Sequence, residues 1–211
     1  MKNFSFSTFN VFSILVIIIL IVLILLPFNL INMEQAERIA KWKSVYEELK
    51  YSFELVNLHE GSIIPTPEEA GKIITDEYIM TRFIPYFNFK DDNIFNPYKH
   101  GYRKMNGSPV IKTSQFYFNR FLMRKDGVLI GVKENPKAGL NENQPLYYMF
   151  VDINGIKKPN RIGQDIFVIN IFKTQIKALG DGKKQRVLKT NCSPIGNGLY
   201  CSEYYLRGGR F

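Results

Sequence analysis

VFSILVIIILIVLILL, residues 11–26, decides how the chain is built: fifteen of these residues are apolar and the other is Ser13. With Pro27, Phe28, Leu30 and Ile31 the run reaches about 20 residues, the length that crosses a bilayer. The rest of the 211-residue chain is polar and basic, with a net charge of +9. Aromatic residues make up 14% of the chain and apolar ones 45%, so a packed core is expected and a disordered chain is excluded. Two His and two Cys cannot by themselves complete a four-ligand structural zinc site.

A cleaved secretory signal would carry a charged start, a shorter core and a small-x-small cleavage site. Here only Lys2 is basic before the run, the core is long and rich in Ile, and no Ala-x-Ala pattern follows. A retained anchor is the expectation. Its orientation is open at this point. Arg38, Lys41 and Lys43 after the run outnumber Lys2 before it, which places the C-terminal bulk in the cytoplasm by a positive-inside count. Cys192 and Cys201, with eight residues between them in the turn-rich tail NCSPIGNGLYC, read as a disulfide needing an oxidising exterior, or as two unpaired buried thiols.

Beyond the run, residues 32–58 hold no Pro and no Gly. Trp42, Val45, Leu49, Phe53 and Val56 fall three and four apart, one stripe of an amphipathic helix. Glu37, Lys41, Glu48 and Glu54 lie mostly off it, and His59-Glu60-Gly61 ends it. The helix either continues from the apolar run or breaks at Pro27, which lacks an amide hydrogen. Thr66-Pro67-Glu68-Glu69 starts a second helix, with Thr as cap, Pro first and Glu three after the cap. Ala70, Ile73, Ile74, Tyr78 and Phe83 carry that helix toward Pro85.

The character then changes. Residues 115–123 and 128–132 are aromatic or β-branched runs flanking Lys125-Asp126-Gly127, a hairpin signal. Residues 146–153, ending at Asn154-Gly155, and 166–172 read as further strands. A long helix followed by antiparallel strands predicts an α+β fold: an N-terminal helix, half membrane-spanning and half amphipathic, packed on a C-terminal sheet head.

These residues resemble the type IV pilin-like proteins, the pilins and pseudopilins of type IV pili and type II secretion systems. That family begins with a short basic leader, a Gly, then a Phe opening an apolar helix with Glu fifth and Pro twenty-second. Counting back from Pro27 puts Phe6 first, after the leader Met1-Lys2-Asn3-Phe4-Ser5. Two landmarks differ: Ser5 stands where the family has Gly, and Asn10 where it has Glu. The family's Glu is thought to pair with a neighbouring subunit's amino terminus, in lipid where an unpaired charge is costly. Asn10 accepts a hydrogen bond without charge. The stretch YYMFVDINGIKKPNRIGQDIF, residues 147–167, is similar to the D-x-N-G-x-x-x-P-N-x-x-G-x-D-x-F signature of many such proteins.

The resemblance implies a leader over residues 1–5, a transmembrane helix over 6–31, a helical spine over 32–60 and a head over 61–211. It implies processing between Ser5 and Phe6 with N-methylation, and subunit packing around Asn10 and Pro27. Cys192 and Cys201 look like the disulfide-closed loop of pilin heads, which places the N-terminus in the cytoplasm and the head outside the inner membrane. The implied partners are the membrane, other pilin or pseudopilin subunits, the prepilin peptidase and the assembly-platform proteins. The function expected is a structural filament subunit. The rival is a monomeric, single-pass, extracytoplasmic binding module, which Asn10 favours.

Chemistry in the head is sparse. Asp152, Asn154 and Asp165 offer oxygen ligands suited to calcium, as in some pseudopilins, but their spacing is not that of an EF-hand loop. The competing reading is turn chemistry, with Asn154-Gly155 in a tight turn and both aspartates holding backbone amides. No other cofactor is expected. Residues 173–211 carry Lys173, Lys177, Lys183, Lys184, Arg186, Lys189, Arg207 and Arg210 against Asp181 and Glu203, interleaved with Tyr200, Tyr204, Tyr205 and Phe211. Such a run serves nucleic acid or an anionic surface, or, as is more usual, simply solvates a face. His59 and His100 are isolated. No G-x-S-x-G, P-loop or H-E-x-x-H occurs, and the chain is not expected to be an enzyme.

Overall fold

The computed structural model describes residues 8–61, 75–87, 89, 101–111, 114, 117–118, 121–135 and 144–210. The chain divides into two compact units, Met1–Glu37 and Arg38–Phe211. Helix α1, Thr8–Glu60, runs without interruption past Pro27, so the alternative of a break there does not occur.

In the first unit, every large apolar side chain from residue 11 to residue 23 is between 38% and 66% exposed. A helix that is apolar all round has no polar face to offer water. Among the described residues, no helix is long and apolar enough to cross a membrane. The side chains of residues 24–32, which the expected span also needs, lie outside the described residues, as does the expected leader.

The second unit is α+β. Among the described residues its strands are β1 (Leu122–Met123), β2 (Leu129–Glu134), β3 (Tyr147–Asp152), β4 (Ile166–Ile171) and β5 (Ile176–Ala178). They lie in chain order, each antiparallel to the next. Helix α2 (Thr75–Phe83) runs into a 3₁₀ turn at Ile84–Tyr86, where Pro85 ends the regular hydrogen bonding. Its expected cap at Thr66 lies outside the described residues. Two short helices follow the sheet, α3 (Gln185–Asn191) and α4 (Cys201–Leu206).

Strand side chains alternate between faces, and both faces of this sheet are covered. One face carries Ile130, Val132, Met149, Val151, Phe167, Ile169 and Ile171, which join the α1 stripe Trp42, Val45, Leu49, Phe53 and Val56 in one core cluster. All five stripe residues are at most 3% exposed. The other face carries Leu129, Phe150, Ile166 and Val168 against Tyr102, Phe118 and Phe121. Double burial explains why β3 and β4 read as nearly continuous apolar runs.

The hairpin at Lys125-Asp126-Gly127 forms as expected: Met123 pairs with Leu129, and Asp126 Oδ1 accepts the Val128 amide at 3.2 Å. Its first strand is corrected, since β1 spans two residues rather than the nine expected; residues 115, 116, 119 and 120 lie outside the described ones. The hairpin is tied to α1 by Arg124, which reaches Glu48 at 2.9 Å and Asp126 at 3.2 Å and stands over the Phe87 ring.

Candidate functional site

The signature stretch becomes a buried knot at the end of β3. Asp152 sits on the aromatic face of the sheet, fully buried, and accepts the Tyr102 hydroxyl on Oδ2 and the Asn154 amide on Oδ1 at 3.2 Å. Asp165, also fully buried, turns both oxygens on backbone: Oδ2 accepts the Asn160 amide and Oδ1 the Arg161 amide, each at 2.7 Å. The Asp165 carbonyl accepts the Ile153 amide at 2.9 Å, which closes the loop between β3 and β4. Asn160 takes a left-handed φ of 52°, a conformation that Asn tolerates better than most residues. Its carbonyl accepts the Arg103 amide at 3.0 Å.

Burial dominates the electrostatics of both acids. It pushes the Asp152 carboxyl well above the ordinary range, helped by the nearby Asp165 charge and opposed by Tyr102 and the Asn154 and Gly155 amides. Asp165 is pushed up to about 6 by burial, with the Arg161 and Asn160 amides pulling the other way. Asp152, Asn154 and Asp165 are brought together, and the aspartate oxygens accept hydrogen bonds from the chain's own donors. Among the described residues, no group of three or more His, Cys, Asp or Glu could hold a metal ion.

Cys192 and Cys201 form a disulfide with Cα atoms 4.9 Å apart, and no described cysteine is free. The loop they close lies directly on the signature knot. A Cβ on Gly163 would stand 2.6 Å from the Cys201 sulfur and 2.9 Å from the Gly198 carbonyl oxygen. A Cβ on Gly198 would stand 2.2 Å from the Ile162 carbonyl oxygen. Both glycines also have positive φ, 87° and 81°, so each is required twice over: for backbone direction and for the close approach. Gly163, the second glycine of the signature, leaves room for the disulfide loop to pack against it.

Three bonds then fix this C-terminal segment to the core. The Trp42 indole N–H donates to the Ser202 carbonyl at 2.9 Å, while its ring stacks on Phe167 at 4.4 Å. Ser202 Oγ accepts the Val168 amide at 2.9 Å. The Tyr205 hydroxyl donates to the Gly163 carbonyl at 3.0 Å.

On the outer side of α3 the loop leaves an open groove of about 480 Å³, lined by Arg186, Val187, Thr190, Ile195 and Tyr200 among others. Sequence reading missed it, because α3 is too short to show a helical period and the groove exists only where the folded loop lies beside it. Its framework is hydrogen-bonded: Asn191 Nδ2 donates to Asn197 Oδ1, and Asn191 Oδ1 accepts the Tyr200 amide, both at 2.8 Å.

Apart from Lys173 and Arg210, which are exposed outside α3, the basic run separates into two sets. Lys177 and Arg207 bridge Asp181 and Glu203, whereas Lys183, Lys184, Arg186 and Lys189 stand exposed along α3 and its approach. His59 lies in the last turn of α1 beside the Tyr86 hydroxyl, 3.0 Å away; His100 lies outside the described residues. Ser5 and Phe6 lie outside them too, and Asn10 and Pro27 are described only as helical backbone. No protein-family model, curated protein or solved structure matches the chain.

Proposed function

We propose that the chain is a structural, non-enzymatic subunit of a type IV pilus-like or type II secretion pseudopilus filament, held in the inner membrane by α1 with its head outside. One observation carries the reading. A single helix has an exposed surface that is apolar over residues 11–23 except at Ser13 and, further along, supplies the core stripe of an α+β head. In water the first part is costly, at about 25 cal/mol per Å² of apolar surface. In a bilayer, or against the same segment of other subunits, that cost vanishes. The disulfide in the head supports an oxidising exterior.

Filament assembly here is helix packing exchanged for lipid contact, driven by a separate ATPase. The mass of the mature N-terminus, taken from protein in its native membrane, tests the reading. A chain beginning at Phe6 with an added methyl is expected; an intact chain from Met1 overturns processing and filament entry together. Asn10, lacking the family's charge, favours the monomeric binding module as the second reading. If the filament reading holds, Asn10→Glu raises assembly.

A further inference from the structure

Among the described residues of Arg38–Phe211, six large apolar side chains stand exposed: Tyr51, Leu58, Ile111, Ile156, Val187 and Ile195. Four of them gather in two patches, which include the two most exposed, Ile195 at 83% and Leu58 at 77%. Val187 and Ile195 line the groove beside the disulfide loop. Tyr51 and Leu58 belong to a stripe of α1, with Ser44, Glu47 and Glu54, whose members are three and four residues apart and exposed. That stripe lies on the side of α1 opposite Trp42, Val45, Leu49, Phe53 and Val56.

The two patches differ in charge. Arg186 lines the groove, with Lys183 and Lys184 just ahead of α3 and Lys189 three residues further along it, all exposed. The nearby acids Asp181 and Glu203 are already bridged to Lys177 and Arg207, which leaves this edge cationic. The α1 stripe offers Glu47 and Glu54, with Lys43 and Lys50 confined to one flank.

We infer that the groove beside the disulfide loop docks the outer stripe of α1 from a second copy of this chain. Tyr51 and Leu58 enter against Val187 and Ile195, and Glu47 and Glu54 meet Arg186 and Lys189. The contact cannot form within one copy. α1 turns its Trp42 side to α4, so its Glu47–Tyr51–Leu58 side faces away from the loop of its own chain. Two different surfaces in contact make a heterologous interface, which propagates from copy to copy and gives an open helical array unless the rotation closes it. The inference rests on the assembly reading and adds to it a head-level contact separate from the packing of the apolar helices.

The test uses the full chain in its native membrane, with benzoylphenylalanine at position 195 in one copy and isotope-heavy wild-type chain as the other. Illumination is expected to join residue 195 of the light copy to the heavy peptide holding residues 44–58. Glu47→Lys with Glu54→Lys lowers that adduct severalfold, and adding Arg186→Glu with Lys189→Glu restores it. Trp42 emission checks that each variant is folded. Adducts confined to a single copy, or no restoration by the double reversal, overturn the docking. Filaments that form without the adduct overturn the docking alone; a chain that keeps Met1 and stays monomeric overturns the assembly reading along with it.

Discussion

Leu49→Ala tests whether α1 is the backbone of the head's core. Leu49 is fully buried midway along the stripe, with Val45, Phe53 and the β3–β4 face around it. Truncation removes apolar material worth about 0.8 kcal/mol per methylene-sized group, roughly 2.4 kcal/mol for three. The cavity adds a further cost of about 24 cal/mol per Å³ that does not collapse. A helix on one side and paired strands on the other leave little freedom to close it, so about 3–4 kcal/mol is expected. Trp42, the only tryptophan, is fully buried in the same cluster and reports unfolding directly by its emission. With a urea slope of about 2 kcal/mol/M for a unit of this size, the midpoint falls by about 1.5–2 M. Lys50→Ala, one residue along on the exposed side, serves as control and stays within about 0.5 kcal/mol. If the two variants unfold at the same urea concentration, α1 does not pack on the sheet.

The buried carboxyls set a pH dependence. Asp165 is raised from 3.8 to about 6, so the folded chain binds more protons than the unfolded one across that interval. Its contribution is full below about pH 4 and is lost as pH rises through 6, a fall of about 2–3 kcal/mol at 1.36 kcal/mol per pH unit. Urea midpoints at pH 4, 5, 6 and 7 read it, and stability climbing over that range would refute the sign. Replacing Cys192 and Cys201 together by Ala is expected to cost about 2–3 kcal/mol, the loop-closure entropy of a short ring, seen as a lower melting temperature. Gly163→Ala places a methyl against the disulfide sulfur at a φ of 87° and is expected to cost at least about 2 kcal/mol, measured by the same melt. A Gly163→Ala chain melting with wild type would show that the loop does not rest on the knot.

The parts of the fold that sequence reveals are those with enough length for a period to show. The α1 stripe is read residue for residue, since five apolar positions at helical spacing leave one solution. β3 and β4 are legible within a residue or two because Asn154-Gly155 and the apolar runs bound them. β5 has three residues and α3 and α4 seven and six, too few for alternation or helical spacing to stand out. The same contrast holds in the site. Asp152, Asn154 and Asp165 announce a turn by residue type, as Asn-Gly and capping aspartates do. Tyr102, fifty residues before Asp152, and Ser202 beneath the Trp42 indole carry no local signal, because each acts across a distance that only the fold closes.

That last bond spans 160 residues, from an early turn of the core helix to a carbonyl near the chain's end. Synthesis delivers Trp42 long before its acceptor exists, so the apolar stripe of α1 waits uncovered while the whole meander is made. The core thus closes only once this late segment is in place. A chain cut short before Cys201 keeps the five described strands of the sheet, yet leaves the Trp42 indole N–H without its acceptor and Cys192 without its partner. Such a chain would expose the aromatic surface that α4 otherwise covers.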